Sequence, residues 1–270
     1  MLGWLREQLR ADFRWPYYLF IGVFLGLSLW LNYTWFPERS IEAWFSVKYY
    51  GKPEGFLFFL LFYSIPFVVS MGAYIFFHKE QALLRKRDFW IRVLAGLLIL
   101  TFDSGFYFHR ALQGLATQPA EAYFLRKLLS NLGSVGGILL PLLLFRWWYD
   151  KEQESLYGLT FRNFHIKPYL VLLLLMVPLV LAASFESGFI NYYPTLRPGQ
   201  VARLEHIPAW AAYLLYNTVY ASDFVWEELI FRGFLIIGMA GVLGRGAVLP
   251  MSVIYCFRHF AKPPGEAISS

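Results

Sequence analysis

The chain alternates long apolar runs with short polar stretches. A run of about twenty apolar residues can cross the hydrocarbon core of a bilayer. Such runs cover residues 16–36, 56–77, 89–108, 128–149, 168–185, 208–241 and 246–260. In lipid the backbone must bond to itself, so each run is expected to be helix. The pattern predicts an all-α, polytopic integral membrane helical bundle of about seven spans, with Pro66 kinking the second. No soluble domain and no internal repeat interrupts it.

Composition supports this class. Hydrophobic residues make up 58% of the 270 positions and aromatics 20%, with mean hydropathy +0.46. A soluble domain is nearer half apolar. The net charge of +6 fits cytoplasmic loops of a membrane protein, and no basic, solvated face suggests nucleic acid. With Cys256 the only cysteine, no internal disulfide can form. The first fifteen residues carry Arg6, Arg10 and Arg14 beside Leu5, Leu9 and Phe13. They read as a short interfacial amphipathic helix or as a frayed basic terminus. With the N-terminus inside, the inner loops carry ten Lys and Arg and the outer loops eight. The cluster from Lys79 to Asp88 is the clearest cytoplasmic signal, so the N-terminus is placed inside.

Charge inside the apolar pattern carries the candidate chemistry. The stretch "DFVWEELIFRGFLI" (223–236) sets two glutamates and an arginine in an apolar helical segment. Each mid-membrane charge costs roughly 2.5–3.5 kcal/mol, so these must be compensated or must face protein or water. Glu228 and Arg232 are four apart with the acid first, the spacing of a pair on one face. Glu227 lies about 140° round the helix from Arg232 and shares a face with Asp223 instead. A carboxyl beside another carboxyl in a low-dielectric site suits a general base working near neutral pH. The competing reading puts both glutamates at the water boundary where a helix begins. The apolar, helix-compatible residues 209–222 oppose it.

Downstream, Gly241, Gly244 and Gly246 predict a turn between two antiparallel helices. Glu227 precedes that turn, and His259 follows it, by nearly equal lengths of helix, about 21–23 Å each. The two side chains are therefore expected at one depth on neighbouring helices.

"EELIFR" followed by "YCFRH" resembles the CPBP family, the CAAX proteases and bacteriocin-processing enzymes also called Abi proteins. These are polytopic intramembrane glutamic proteases. Glu227, Glu228 and Arg232 match the first family motif. His259 matches the second, with Tyr255 in place of its phenylalanine. The resemblance covers roughly residues 210–265. It implies an intramembrane endopeptidase that hydrolyses a peptide bond in a membrane-tethered peptide or C-terminal tail. Glu227 would activate water, His259 would position or polarise it, and Glu228 with Arg232 would hold the helix and the local field. No cofactor is implied, and with no HExxH and no close ligand triad none of these residues is read as binding metal.

The family's third motif, a histidine-bearing helix that supplies oxyanion contacts, has no counterpart. After Pro263 and Pro264, "GEAISS" looks like the opening of a further helix. The expected organisation is an interfacial helix over 1–15, five spans over 16–207, and a truncated catalytic region over 208–270. An oxyanion donor is commonly worth about 100- to 1,000-fold in rate, so the chain without one would be nearly inactive. The alternative is a non-catalytic relative that binds such a segment as a chaperone or immunity factor. A third reading is a small transporter with Asp103, Glu227 and His259 as a proton path, though no inverted repeat supports it. Asp103, with Arg92 and His109 nearby, could line a polar cavity or make an interhelical hydrogen bond. Cys256 reads as an inert buried thiol. "NLGSVGG" (131–137) reads as a helix-packing stripe. His78, His165 and His206 fall at span ends. The partners expected are the lipid bilayer and a membrane-associated peptide or protein; oligomeric state has no sequence signal.

Overall fold

The computed structural model describes residues 13–36, 40–49, 52–105, 112, 116, 118–152, 155–160, 166–185 and 187–269. The interfacial helix expected over residues 1–15 falls largely outside them, as do His109 and His165.

Among the described residues the regular structure is helical, apart from one isolated bridge between Leu156 and Leu159. Among the described residues four helical stretches are long and apolar enough to cross a membrane: Trp15–Trp35, Pro53–His78, Pro119–Trp148 and Ala209–Arg258. The third and fifth runs of the sequence pattern are weaker. Helix Arg87–Gly105 carries Arg87, Asp88, Arg92 and Asp103, and helix Lys167–Ala183 has only 17 residues. A count of seven spans therefore does not follow from length and hydropathy.

The main helices are α1 (Trp15–Trp35), α2 (Ile41–Lys48), α3 (Pro53–His78), α4 (Arg87–Gly105), α5 (Pro119–Ser134), α6 (Leu140–Trp148), α7 (Lys167–Ala183), α8 (Ser187–Tyr192), α9 (Pro198–Val201) and α10 (Ala209–Glu228). After α10 come α11 (Ala240–Leu243), α12 (Val248–Arg258) and α13 (Pro264–Ser269). Prolines at the first turn open α1, α3 and α5, where a missing N–H costs nothing. α3 runs on through Pro66 and ends at Lys79 in the left-handed region, φ 59°. Two π-helical segments interrupt the regular winding: Val135–Leu139 between α5 and α6, and Leu229–Gly238 after α10.

The 50-residue stretch Ala209–Arg258 folds back on itself. A straight helix of 31 residues would span about 46 Å, yet Glu227 and Arg258 touch. The reversal lies at α11 and the 3-10 turn Gly244–Ala247, where Gly244 takes φ 54°, a conformation that suits glycine. This is the antiparallel hairpin that the glycines predict. Its π arm is buried by Ile230, Phe231 and Phe234, and α12 by Val253 and Ile254.

The core joins α3, α4 and this hairpin through Phe59, Tyr63, Phe89, Leu100 and Phe234. A second cluster ties α5 and α10 through Phe124, Leu128, Ala212 and Tyr216. At one end, Arg92 binds Asp150 at 2.6 and 2.7 Å, Asp88 at 2.9 Å and the Gly238 carbonyl at 2.8 Å. That clamp fixes the loop after α6 and satisfies the last turn of the π arm. The polar site described next lies at the other end of these helices. α7 packs differently from the rest: every described side chain from Ile166 to Ala182 is exposed.

Candidate functional site

Arg258, the last residue of α12, is the centre of a charged cluster inside the bundle. Its Nη2 donates to Asp103 Oδ2 at 2.8 Å and to Glu227 Oε1 at 2.6 Å, and its Nε donates to the same Glu227 oxygen at 3.1 Å. Its Nη1 donates to Ser104 Oγ at 2.5 Å and Tyr63 OH at 3.2 Å. A guanidinium has five N–H groups, and all five are used. α3, α4 and α10 thus meet on one side chain. Asp103 is 5% exposed, Glu227 17% and Arg258 19%, so this pairing is largely withdrawn from solvent.

Backbone packing brings Asp103 to the cluster. A Cβ on Gly137 would stand 2.8 Å from the Asp103 Cα and 2.6 Å from its Oδ1. Only a glycine lets the π segment of 135–139 lie so close to α4. The "NLGSVGG" stripe is therefore a packing surface, as read from sequence, and it also backs the charged cluster.

One element of the site that the sequence did not anticipate is α2. Its N-terminus is pinned by Asn32 of α1: Asn32 Oδ1 accepts from the Ile41 N–H at 3.0 Å, while Asn32 Nδ2 donates to the Phe260 carbonyl at 3.0 Å. Ser40 caps the helix, accepting from the Ala43 N–H at 3.1 Å. These bonds place Glu42, in the first turn, against the cluster. Burial pushes the Glu42 carboxyl up to about 7, against the opposite pull of Arg258.

Two polar cavities flank Arg258. The larger, of about 340 Å³, is lined by Glu227, His259, Asp223, Tyr255, Lys127 and Tyr220 among others. The smaller, of about 220 Å³, is lined by Glu42, Asp103, Asp223, Arg258 and the serines 104 and 134 among others. The sequence-predicted pair Glu227 and His259 therefore share one cavity, as equal depth on two antiparallel helices requires. Among the described residues no hydrogen bond joins them. His259 turns Nδ1 to the Tyr255 carbonyl at 2.9 Å. A carbonyl only accepts, so Nδ1 carries the proton and, in the neutral ring, Nε2 keeps its lone pair. The Tyr255 ring lies 4.5 Å from the imidazole and 4.8 Å from Phe231.

One expectation is corrected. Sequence spacing leaves Glu227 without a cation, whereas Arg258 pairs with it. Helix geometry within 223–232 could not show this, because the partner sits 31 residues away on the other arm of the hairpin. The signal was present in "FRHF": an arginine in an apolar helix needs a partner as much as a glutamate does. Arg258 takes only Oε1, and Glu227 Oε2 accepts no hydrogen bond from the described residues. Glu228 and Arg232 pair with each other as the four-residue spacing predicts, on a surface where they are 45% and 53% exposed. Arg232 also lies over the Tyr255 ring, 5.4 Å from its centroid.

Of the remaining candidates, Asp103 joins Arg258 and not Arg92, which is engaged with Asp88 and Asp150 instead. Cys256 is buried, and its thiol donates to the Ala267 carbonyl at 3.2 Å, away from His259. Residues 264–269 do form a helix, and its Glu266 pairs with Lys262 at 3.0 Å. Among the described residues no group of three or more His, Cys, Asp or Glu side chains is arranged to hold a metal ion. No protein-family model, no curated protein and no solved structure matches the chain.

Proposed function

We propose that this membrane protein is an intramembrane endopeptidase whose site is the 340 Å³ cavity, with seven spans and the N-terminus inside. One observation carries the reading. Glu227 and His259 come from opposite arms of a hairpin into a shared polar cavity, and one oxygen of Glu227 remains open there. The "EELIFR" and "YCFRH" resemblance to the CPBP proteases supports the same assignment.

In this reading Arg258 holds Oε1 of Glu227 and offsets its charge. The open Oε2 takes a proton from water as the water oxygen attacks a peptide carbonyl of a membrane-tethered segment. The proton then passes to the leaving amine as the C–N bond breaks. His259 orients the water or the carbonyl. General-base assistance of this kind contributes about 10²- to 10⁴-fold. Glu228 and Arg232 neutralise each other on the outer surface of the π arm.

A second reading, a non-catalytic protein that binds such a segment, is favoured by the Arg258 clamp, which makes Glu227 a structural ion-pair partner. The two separate in reconstituted lipid with membrane-tethered peptides and detection of new peptide ends by mass spectrometry. New ends with the wild type that vanish on Glu227→Gln support the protease. Peptides that bind yet stay intact support the binder.

A further inference from the structure

The smaller cavity is lined by more carboxyl groups than Arg258 can bind. Arg258 spends all five N–H groups on Asp103, Glu227, Ser104 and Tyr63. Nothing is left for Glu42 or Asp223, which line both cavities. Glu42 makes no hydrogen bond or ion pair with the described residues, and its Oε2 is sealed from solvent without a partner. Asp223 Oδ1 is equally buried and equally unpartnered. The Ser134 hydroxyl lies against both Asp103 and Asp223, and its single proton can serve one of them. The lysines of the larger cavity do not help: Lys262 is committed to Glu266 at 3.0 Å, and Lys127 forms no ion pair with either acid. Two carboxyls, each with one oxygen sealed from solvent and unpartnered, thus line one small cavity without an ion pair of their own, the Arg258 guanidinium beside them being fully committed elsewhere, and a buried unpaired carboxylate is costly.

We propose that Glu42 and Asp223 form a cation-accepting subsite beside Glu227, built for the ammonium or guanidinium end of a lysine or arginine side chain. The cavity of about 220 Å³ has the volume of about seven waters, enough for an extended basic side chain. Its serines, Ser46, Ser104, Ser130 and Ser134, add acceptor oxygens. It shares Glu42, Ser130, Asp223 and Arg258 with the larger cavity. A side chain entering it leaves its own backbone next to Glu227 and His259. A peptide with a basic residue close to the cut bond is therefore the substrate class. The substrate part of this inference rests on the protease reading; the subsite itself does not.

The test uses the full chain in lipid nanodiscs and a hydrophobic carbodiimide, which modifies protonated carboxyls in apolar surroundings. Labelling of Glu42 is read by mass spectrometry with n-butylguanidinium, whose cation does not trap activated carboxyls, with n-butanol, or with potassium chloride at the same ionic strength. The subsite predicts that n-butylguanidinium suppresses Glu42 labelling at least fivefold while butanol and potassium chloride leave it unchanged. Equal labelling under all three conditions overturns it, and so does equal protection by potassium chloride. A companion measurement compares tethered peptides carrying lysine or norleucine beside the cut bond. Wild-type protein should bind the lysine peptide at least tenfold tighter, and Asp223→Asn should erase that preference. Cation protection without any cleavage leaves the subsite standing and removes the protease. Cleavage indifferent to the basic residue, without cation protection, removes the subsite alone.

Discussion

Arg258 Nη2 donates to Glu227 Oε1 at 2.6 Å, joining the two arms of a hairpin across 31 positions of the chain. The same nitrogen donates to Asp103 on α4 at 2.8 Å. One guanidinium therefore sets the depth of three helices and offsets two interior carboxylates. It also decides which oxygen of Glu227 is open to the cavity.

Removing that guanidinium should be severe. Arg258→Met leaves Asp103 and Glu227 buried without a counter-charge, a change that typically costs about 3–5 kcal/mol. Arg258→Lys keeps the charge and loses the fork, so its loss should be smaller. Arg258→Met combined with Asp103→Asn and Glu227→Gln should recover much of the stability. Thermal unfolding in detergent, compared across the three proteins, checks the order.

Gly137 offers a test of the packing behind the cluster. An alanine Cβ there would stand 2.8 Å from the Asp103 Cα, so α4 or the π segment has to move. Overpacking of this kind typically costs about 1–3 kcal/mol. Gly137→Ala should lower the unfolding temperature, and Gly72→Ala in α3, where an added Cβ meets nothing within 4 Å, serves as its control.

Glu42 makes stability depend on pH. Its carboxyl rises from an ordinary 4.5 to about 7, chiefly through burial. The folded protein then binds more protons than the unfolded chain between those values. Stability falls as pH rises from about 4.5 to 7 and stays lower above that window, by at most roughly 3 kcal/mol. Glu42→Gln should flatten the profile over that window. A profile in Glu42→Gln that is as steep as the wild type would show that another group is responsible.

The Glu228–Arg232 pair should behave as a unit. It is half-exposed on the surface of the π arm, where an unpaired charge against lipid costs roughly 2.5–3.5 kcal/mol. Glu228→Gln alone should destabilise more than Glu228→Gln with Arg232→Met. A double-mutant cycle on unfolding measures the difference; additive losses would mean the pair contributes nothing.

Much of this site is legible in the chain. Glycines 241, 244 and 246 mark the hairpin turn, the four-residue spacing gives the Glu228–Arg232 pair, and equal distances from the turn bring Glu227 and His259 together. Asp223 and Glu227 share the face their spacing implies. What sequence spacing could not supply is tertiary. Arg258 belongs to Glu227 and Asp103 only because α12 packs against α3 and the π segment Val135–Leu139 packs against both α4 and α10. Glu42 enters because Asn32 and Phe260 pin a short helix that reads as loop from its length and charge. The span count fails to settle for a related reason: hydropathy alone cannot weigh α4, whose Asp103 and Arg92 are met by partners on other elements.

The most direct measurement is Glu227→Gln in reconstituted lipid, with binding and cleavage of a tethered peptide followed separately. The account expects binding within a fewfold of wild type and cleavage reduced by about 10²-fold or more. Cleavage that survives the substitution would contradict the assignment of Glu227 as the base.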